Sequence, residues 1–336
     1  MPGPSGNQDM SPEQNSGRAA SGVVGQVASR LLWPVWNGSH RRLRAPLRAV
    51  LPAVLSFLAL AALQTVVRAR FTHPIREPVE AAGIGAVLVI TVFVSARLLD
   101  RRPIDEYGLS LDRRWWRSFA VGGAIATVVN AGALAVAVGA GWATVVGVAK
   151  GAGDLPFLPA MVVVFTYVAL ASAWEEVVFR GAMLKNLAEG ADGPVPRWAA
   201  VGVAVLASSV VFALLHGGKV DHPSQYGYYL LAGLLLSGAY VLTGDLALPI
   251  GFHVWYNFTQ SAVFGLGHSQ QTPELLAVET VGPARWVGEE GVVYSLFVVV
   301  GGLLVLAYVR WRDGRLRIDE RVTQWTPRFE RETRRR

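Results

Sequence analysis

Long apolar windows of near-uniform length, separated by polar punctuation, constrain this chain more than any other feature. A helix that crosses a bilayer needs about 20 mostly apolar residues, and such windows lie at 49–67, 79–99, 118–146, 157–184, 197–216, 227–243, 246–264 and 291–309. The expected fold is therefore all-α and polytopic, with about eight transmembrane helices. Composition agrees: 52% of the residues are hydrophobic and 16% charged, against about a quarter charged in soluble domains. The window at 118–146 is long enough to tilt or to break at its glycines, and 227–243 is short.

The net charge of +7 does not point to nucleic acid, because the basic residues fall in short runs between apolar stretches. Arg41, Arg42, Arg44 and Arg48 precede the first window, and Arg97, Arg101, Arg102, Arg113, Arg114 and Arg117 separate the second from the third. Arg180, Lys185 and Arg197 follow the fourth, and the tail is basic from Arg310. The positive-inside rule places all of these in the cytoplasm. An even number of crossings satisfies the pattern, with both termini inside a multi-pass plasma-membrane protein. Residues 1–40, rich in Gly, Ser, Pro, Asn and Gln, are expected to be a disordered cytoplasmic tail. Residues 41–312 form the membrane domain, and 313–336 a basic cytoplasmic tail. Ile104 to Trp116 is either an interfacial stretch with Trp115 and Trp116 at headgroup depth or a plain loop. Cysteine is absent, which removes thiolate ligands, a cysteine nucleophile and disulfides.

Ionisable residues within apolar windows are informative, since each costs about 2.5–3.5 kcal/mol to insert at mid-bilayer. Three clusters stand out. In Trp174-Glu175-Glu176-Val177-Val178-Phe179-Arg180-Gly181, Glu176 and Arg180 have the i, i+4 spacing of a helical ion pair. Glu175, turned about 100° away, has no such partner and is the candidate for taking a proton from water; a helix-end salt bridge at the surface is the competing reading. In Phe212-Ala213-Leu214-Leu215-His216-Gly217-Gly218, one imidazole ends an apolar run that two glycines stop. His216 could orient water, share a proton or bind metal, or it could be merely interfacial. His253 and Asn257 stand one helical turn apart, either as two donors aimed at one oxygen or as interhelical glue.

Glu-Glu-x-x-x-Arg, Phe-x-x-x-His and His-x-x-x-Asn, in this order on separate helices, resemble the CPBP family of CAAX-protease and bacteriocin-processing (Abi) membrane proteins. The motifs are complete here: Glu175, Glu176 and Arg180; Phe212 and His216; His253 and Asn257. The resemblance covers about residues 155–265, with the lead-in Gly244 to Gly251 and a weaker echo at Tyr107-Gly108-Leu109. It implies an intramembrane endopeptidase acting on a membrane-associated or lipidated peptide or protein, with the polar site in the bundle of the fourth to seventh helices. In that family pattern Glu175 and His216 activate water, His253 and Asn257 stabilise the oxyanion, and Glu176, Arg180 and Phe212 support them.

Zinc is one option for such a site, with Glu175, His216 and His253 as ligands. Metal-free activation is the preferred expectation, because His-Glu-x-x-His is absent and a glutamate acting as base is not a simple ligand. The same pocket could instead serve a non-catalytic scaffold or an immunity or secretion partner. A proton-coupled carrier would call for inverted repeats, which the sequence lacks. The Ala-, Val-, Gly- and Arg-rich composition suggests a bacterial source, where prenylated CAAX substrates are not expected. His40, His73, His222 and His268 fall in connectors and are expected to be solvated. One conflict stands: a fifth helix crossing fully would carry His216 to the opposite face from Glu175 and His253.

Overall fold

The computed structural model describes residues 34–220, 222–266, 272–287 and 290–327. A short hairpin of β1 (Trp36–Asn37) and β2 (Arg42–Leu43) leads into α1 (Ala45–Arg70) and α2 (Arg76–Leu99), whose last turn is π-helical. A turn of 3-10 helix at Ile104–Tyr107 precedes α3 (Arg113–Gly139). Strand β3 (Ala143–Lys150) follows, then α4 (Phe157–Ala191), α5 (Arg197–Leu215), α6 (Tyr226–Thr243) and α7 (Ala247–Phe258), which continues as a π turn over Thr259–Val263. Strand β4 (Glu274–Thr280), the short α8 (Ala284–Val287) and α9 (Val292–Asp313) complete the order.

Seven of these helices are long and apolar enough to cross a membrane. The window expected at 246–264 is different: α7 is too short for that measure and is buried along almost its whole length. It packs against α3, α4 and α6. The exterior is apolar and the interior partly polar, the reverse of a soluble domain: Leu58, Val89, Val128, Val162, Val203 and Leu303 are each more than 60% exposed, whereas Asn130, Ser208, Ser209 and Ser237 are fully buried. In lipid such exposure costs nothing, and buried hydroxyls and amides tie helices together. Ser208 Oγ donates to the Phe179 carbonyl at 2.8 Å, joining α5 to α4.

Two features depart from the sequence reading, and one follows it. The window 118–146 breaks at glycines as expected, at Gly139 and Gly141, while the glycines inside the helix admit a neighbour. A Cβ on Gly122 would stand 2.5 Å from the Leu248 carbonyl oxygen, and one on Gly251 would stand 2.1 Å from that of Phe119, so α3 and α7 touch backbone to backbone. Past that break the chain does not resume as helix, because β-branched Thr144, Val145, Val146 and Val148 favour the extended chain of β3, which pairs antiparallel with β4. Finally, α4 does not end at 184 but runs 35 residues to Ala191, about 52 Å at 1.5 Å per residue.

That length removes the conflict over His216. Glu175 lies about 24 Å along α4 from its Ala191 end, and His216 about 28 Å along α5 from Arg197, which follows Ala191 by a short turn. The two reach a similar depth. At the arginine-rich end, Arg48 of α1 hydrogen-bonds Asp100 (3.2 Å) and Asn186 and Glu189 of α4, and Arg114 of α3 meets Asp313 of α9 (3.1 Å). The segment after α9 is docked at this end, with Trp325 Nε1 donating to the Asp100 carbonyl and the Arg42 guanidinium 3.9 Å over the Trp325 ring. Of the tail expected at 1–40, residues 1–33 lie outside the described residues.

Tyr107-Gly108 braces the start of α7. Gly108, at φ +85°, packs against the Asp245 backbone so closely that a Cβ would meet it at 2.6 Å. Its carbonyl accepts from Leu246 N (3.0 Å) and Trp115 Nε1 (2.9 Å). Trp115 is therefore core, while its neighbour Trp116 is exposed.

Candidate active site

The site begins where α4 changes winding. Glu175 and Glu176 end its regular part, and Val177–Leu184 is π-helical, a local widening that recurs at functional sites. Arg180 Nη1 donates to Glu176 Oε1 at 2.9 Å and Nη2 to the Gly233 carbonyl at 3.2 Å; both side chains are fully buried. The guanidinium also lies 4.7 Å from the centre of the Phe212 ring, which abuts Phe179 and His216. Phe212 thus lies between the Arg180 guanidinium and the cavity that it lines.

Helix α7 supplies the facing side. Asp245 Oδ1 accepts from Ala247 N (3.0 Å) at its start, and Asn130 of α3 donates to the Tyr256 carbonyl and to Thr259 Oγ1, both at 2.8 Å, where its π turn opens. On this fixed frame His253 Nδ1 donates to Glu176 Oε1 at 2.8 Å, and Nε2 stands 3.8 Å from Glu175 Oε2. Glu176 thereby orients the ring, as a carboxylate does for a histidine in many hydrolytic sites. Glu175 Oε2 and Glu176 Oε2 are buried and have no donor within hydrogen-bond reach among the described residues. Asn257 Nδ2 makes a long contact of 3.4 Å with Ser172 Oγ and none with His253.

His216 caps the end of α5. Its Nδ1 lies 2.7 Å from the Phe212 carbonyl oxygen; a carbonyl only accepts, so Nδ1 carries the proton and the neutral ring leaves an Nε2 lone pair. The ring stacks on Tyr229 at 4.3 Å, and Lys219 N closes the following turn on the His216 carbonyl (2.8 Å).

Glu175, His216, His253, Asn257 and Phe212 all line one cavity of about 70 Å³. A second cavity, of about 300 Å³, lies between α1, α2 and α4 and reaches Gln64, Tyr167 and Ser172. Glu175, Asn257, Lys219 and Gln260 border both. Glu176 and Arg180 stand behind the wall. Lys219 and Gln260 escaped the sequence reading; for Gln260 the signal was its place one turn past Asn257. Among the described residues no three His, Asp or Glu side chains are grouped so as to hold a metal ion, so Glu175, His216 and His253 do not fit a three-ligand zinc centre as they stand. His40 and His73 bond to Asn37 and to Glu77 and the Ala152 carbonyl, away from the site; His268 lies outside the described residues.

The comparison with protein families falls on this constellation. Residues 157–259 match the family model of the type II CAAX prenyl endopeptidases, Rce1-like. The chain carries an Rce1-like segment. It opens at the first residue of α4 and closes just past α7, enclosing every residue of the three motifs. The family is one of proteases, and it is consistent with the CPBP resemblance. Searches of curated proteins and of solved structures return no match.

Proposed function

We propose that the protein is an intramembrane endopeptidase of the CPBP type that hydrolyses a peptide bond of a membrane-associated or lipidated protein. One observation carries the reading: a buried Glu175 carboxylate oxygen without a donor, on a cavity wall, 3.8 Å from an imidazole nitrogen whose ring another carboxylate orients. Water in this cavity would lie between Glu175 and the Nε2 lone pair of His216. Glu175 takes one of its protons while the oxygen bonds to the scissile carbonyl carbon and the C=O electron pair moves onto oxygen. His253, oriented by Glu176, would donate Nε2–H to that oxyanion in its imidazolium form, together with Asn257 Nδ2. Glu176 also accepts from Arg180 Nη1 at 2.9 Å. On collapse the C–N bond breaks, the proton on Glu175 passes to the leaving nitrogen, and the products are a carboxylic acid and an amine.

We place the arginine-rich end in the cytoplasm and the bundle in the plasma membrane, with both termini inside. Gln64, Tyr167 and Lys219 then put the cavities in the half of the bundle toward the outer leaflet.

The test compares membranes of cells carrying the wild-type chain with those carrying Glu175→Gln, by mass spectrometry of protein termini. A truncated membrane protein present only with the wild type supports the endopeptidase. A partner that binds both forms while no truncation ever depends on Glu175 favours the scaffold instead.

A further inference from the structure

Gln260 stands on α7 three residues past Asn257 and one residue beyond the Rce1-like segment. Its side chain is 4% exposed, and its Nε2 has no acceptor within hydrogen-bond reach among the described residues. A buried donor left without a partner costs about 1–3 kcal/mol, and a flexible amide escapes that cost unless its position is fixed. Here the backbone that carries it is fixed: the Gln260 main-chain carbonyl accepts from Leu266 N (2.8 Å), and the preceding Thr259 hydroxyl is held by Asn130 and the Trp255 carbonyl. Gln260 borders both cavities, beside Glu175 and Asn257.

The spacing on α7 suggests what fills this place. Residues three apart on a helix hold their Cβ atoms about 5–6 Å from each other. Carbonyls on one side of an extended peptide recur every second residue, about 6.6–6.8 Å apart. The amides of Asn257 and Gln260 therefore match alternate carbonyls of one extended chain lying along α7. Side chains of such a peptide point alternately to opposite sides, and the two cavities lie on either side of this row.

We infer that Gln260 is a substrate-binding residue whose Nε2 donates to a backbone carbonyl of an extended peptide, two residues from the scissile carbonyl. This rests on the endopeptidase reading and adds a grip on the main chain to it. The cavity between Phe212, Tyr229 and Phe252 takes one apolar side chain of that peptide, and the larger cavity takes its neighbour.

The experiment uses the full chain in lipid nanodiscs with Glu175→Gln as background, so that binding is read without cleavage. Fluorescein-labelled octapeptides are screened by polarisation, and the tightest is resynthesised with each amide in turn replaced by an (E)-alkene. One replacement is expected to weaken binding about tenfold, the size of one hydrogen bond, and to have no effect once Gln260→Leu is added. Thermal unfolding of Gln260→Leu should show no loss of stability, since its donor has no partner in the folded chain. Replacements that act equally in both proteins, a Gln260→Leu variant that unfolds earlier, or no peptide bound at all, would each overturn the inference. A peptide gripped through Gln260 yet never cut by the wild-type chain leaves the grip standing and removes the endopeptidase.

Discussion

Two buried polar clusters sit in this bundle, and they are finished differently. At the arginine-rich end Arg42, Arg48 and Arg102 converge on Asp100, Asn186 and Glu189. There every carboxylate oxygen has a donor: Asp100 Oδ1 accepts from Arg48 and Oδ2 from Tyr107 and Asn186, while Glu189 Oε1 accepts from Arg42 and Arg48 and Oε2 from Arg48 and Arg102. What is left over is donors, on Arg42 and Arg102. Burial lowers the Arg42 guanidinium to about 10, with Glu189 opposing the shift, whereas the acidic groups around Arg102 outweigh its burial and raise it. In the candidate active site carboxylate oxygens are also left over. Oε2 of Glu175 and Oε2 of Glu176 lack donors, beside the unpaired donors Arg180 Nε and Gln260 Nε2, and Glu175 borders a cavity. A network whose carboxylates are saturated holds helices together; one with unpaired acceptors beside a cavity keeps them available for something that enters.

Substitutions in the two clusters should have effects of different size. Glu189→Ala strips a shared acceptor from three guanidinium groups and should destabilise the fold most, by about 3–5 kcal/mol, seen as a large fall in the unfolding midpoint in detergent. A midpoint equal to wild type would show that the network does not hold the helices. Arg180→Met leaves Glu176 buried with His253 alone and should cost somewhat less, about 3 kcal/mol. Adding Glu176→Gln to it should recover part of the loss, and a double-mutant cycle with no coupling would contradict the 2.9 Å pair. The smallest effect is expected for Tyr107→Phe, about 1–2 kcal/mol, because Asn186 still donates to Asp100 Oδ2 at 3.0 Å.

Much of this was legible from local pattern. Apolar windows gave the helices, and the i, i+4 spacing gave the Glu176–Arg180 pair. The misses have physical causes. A run of β-branched residues after Gly139 is apolar enough to read as helix, and only pairing with β4, far along the chain, reveals the strand. Asn186 and Glu189 lie past the window expected to end at 184; they are helical, Asn186 fully buried and Glu189 partly so, because Arg48, Asp100 and Arg102 come to meet them. The contact of His253 with Glu176 joins residues 77 apart, and no spacing rule reports it. The unpartnered amide of Gln260 is likewise visible only once the cavities are.

The central claim is that Glu175 is kept for chemistry rather than for folding. The most direct measurement takes turnover and thermal unfolding from one purified preparation of Glu175→Gln beside wild type. Loss of the general base should reduce turnover by about 10²–10⁴, while stability moves by no more than about 0.5 kcal/mol. Retained turnover, or a protein that unfolds well before wild type, would contradict it.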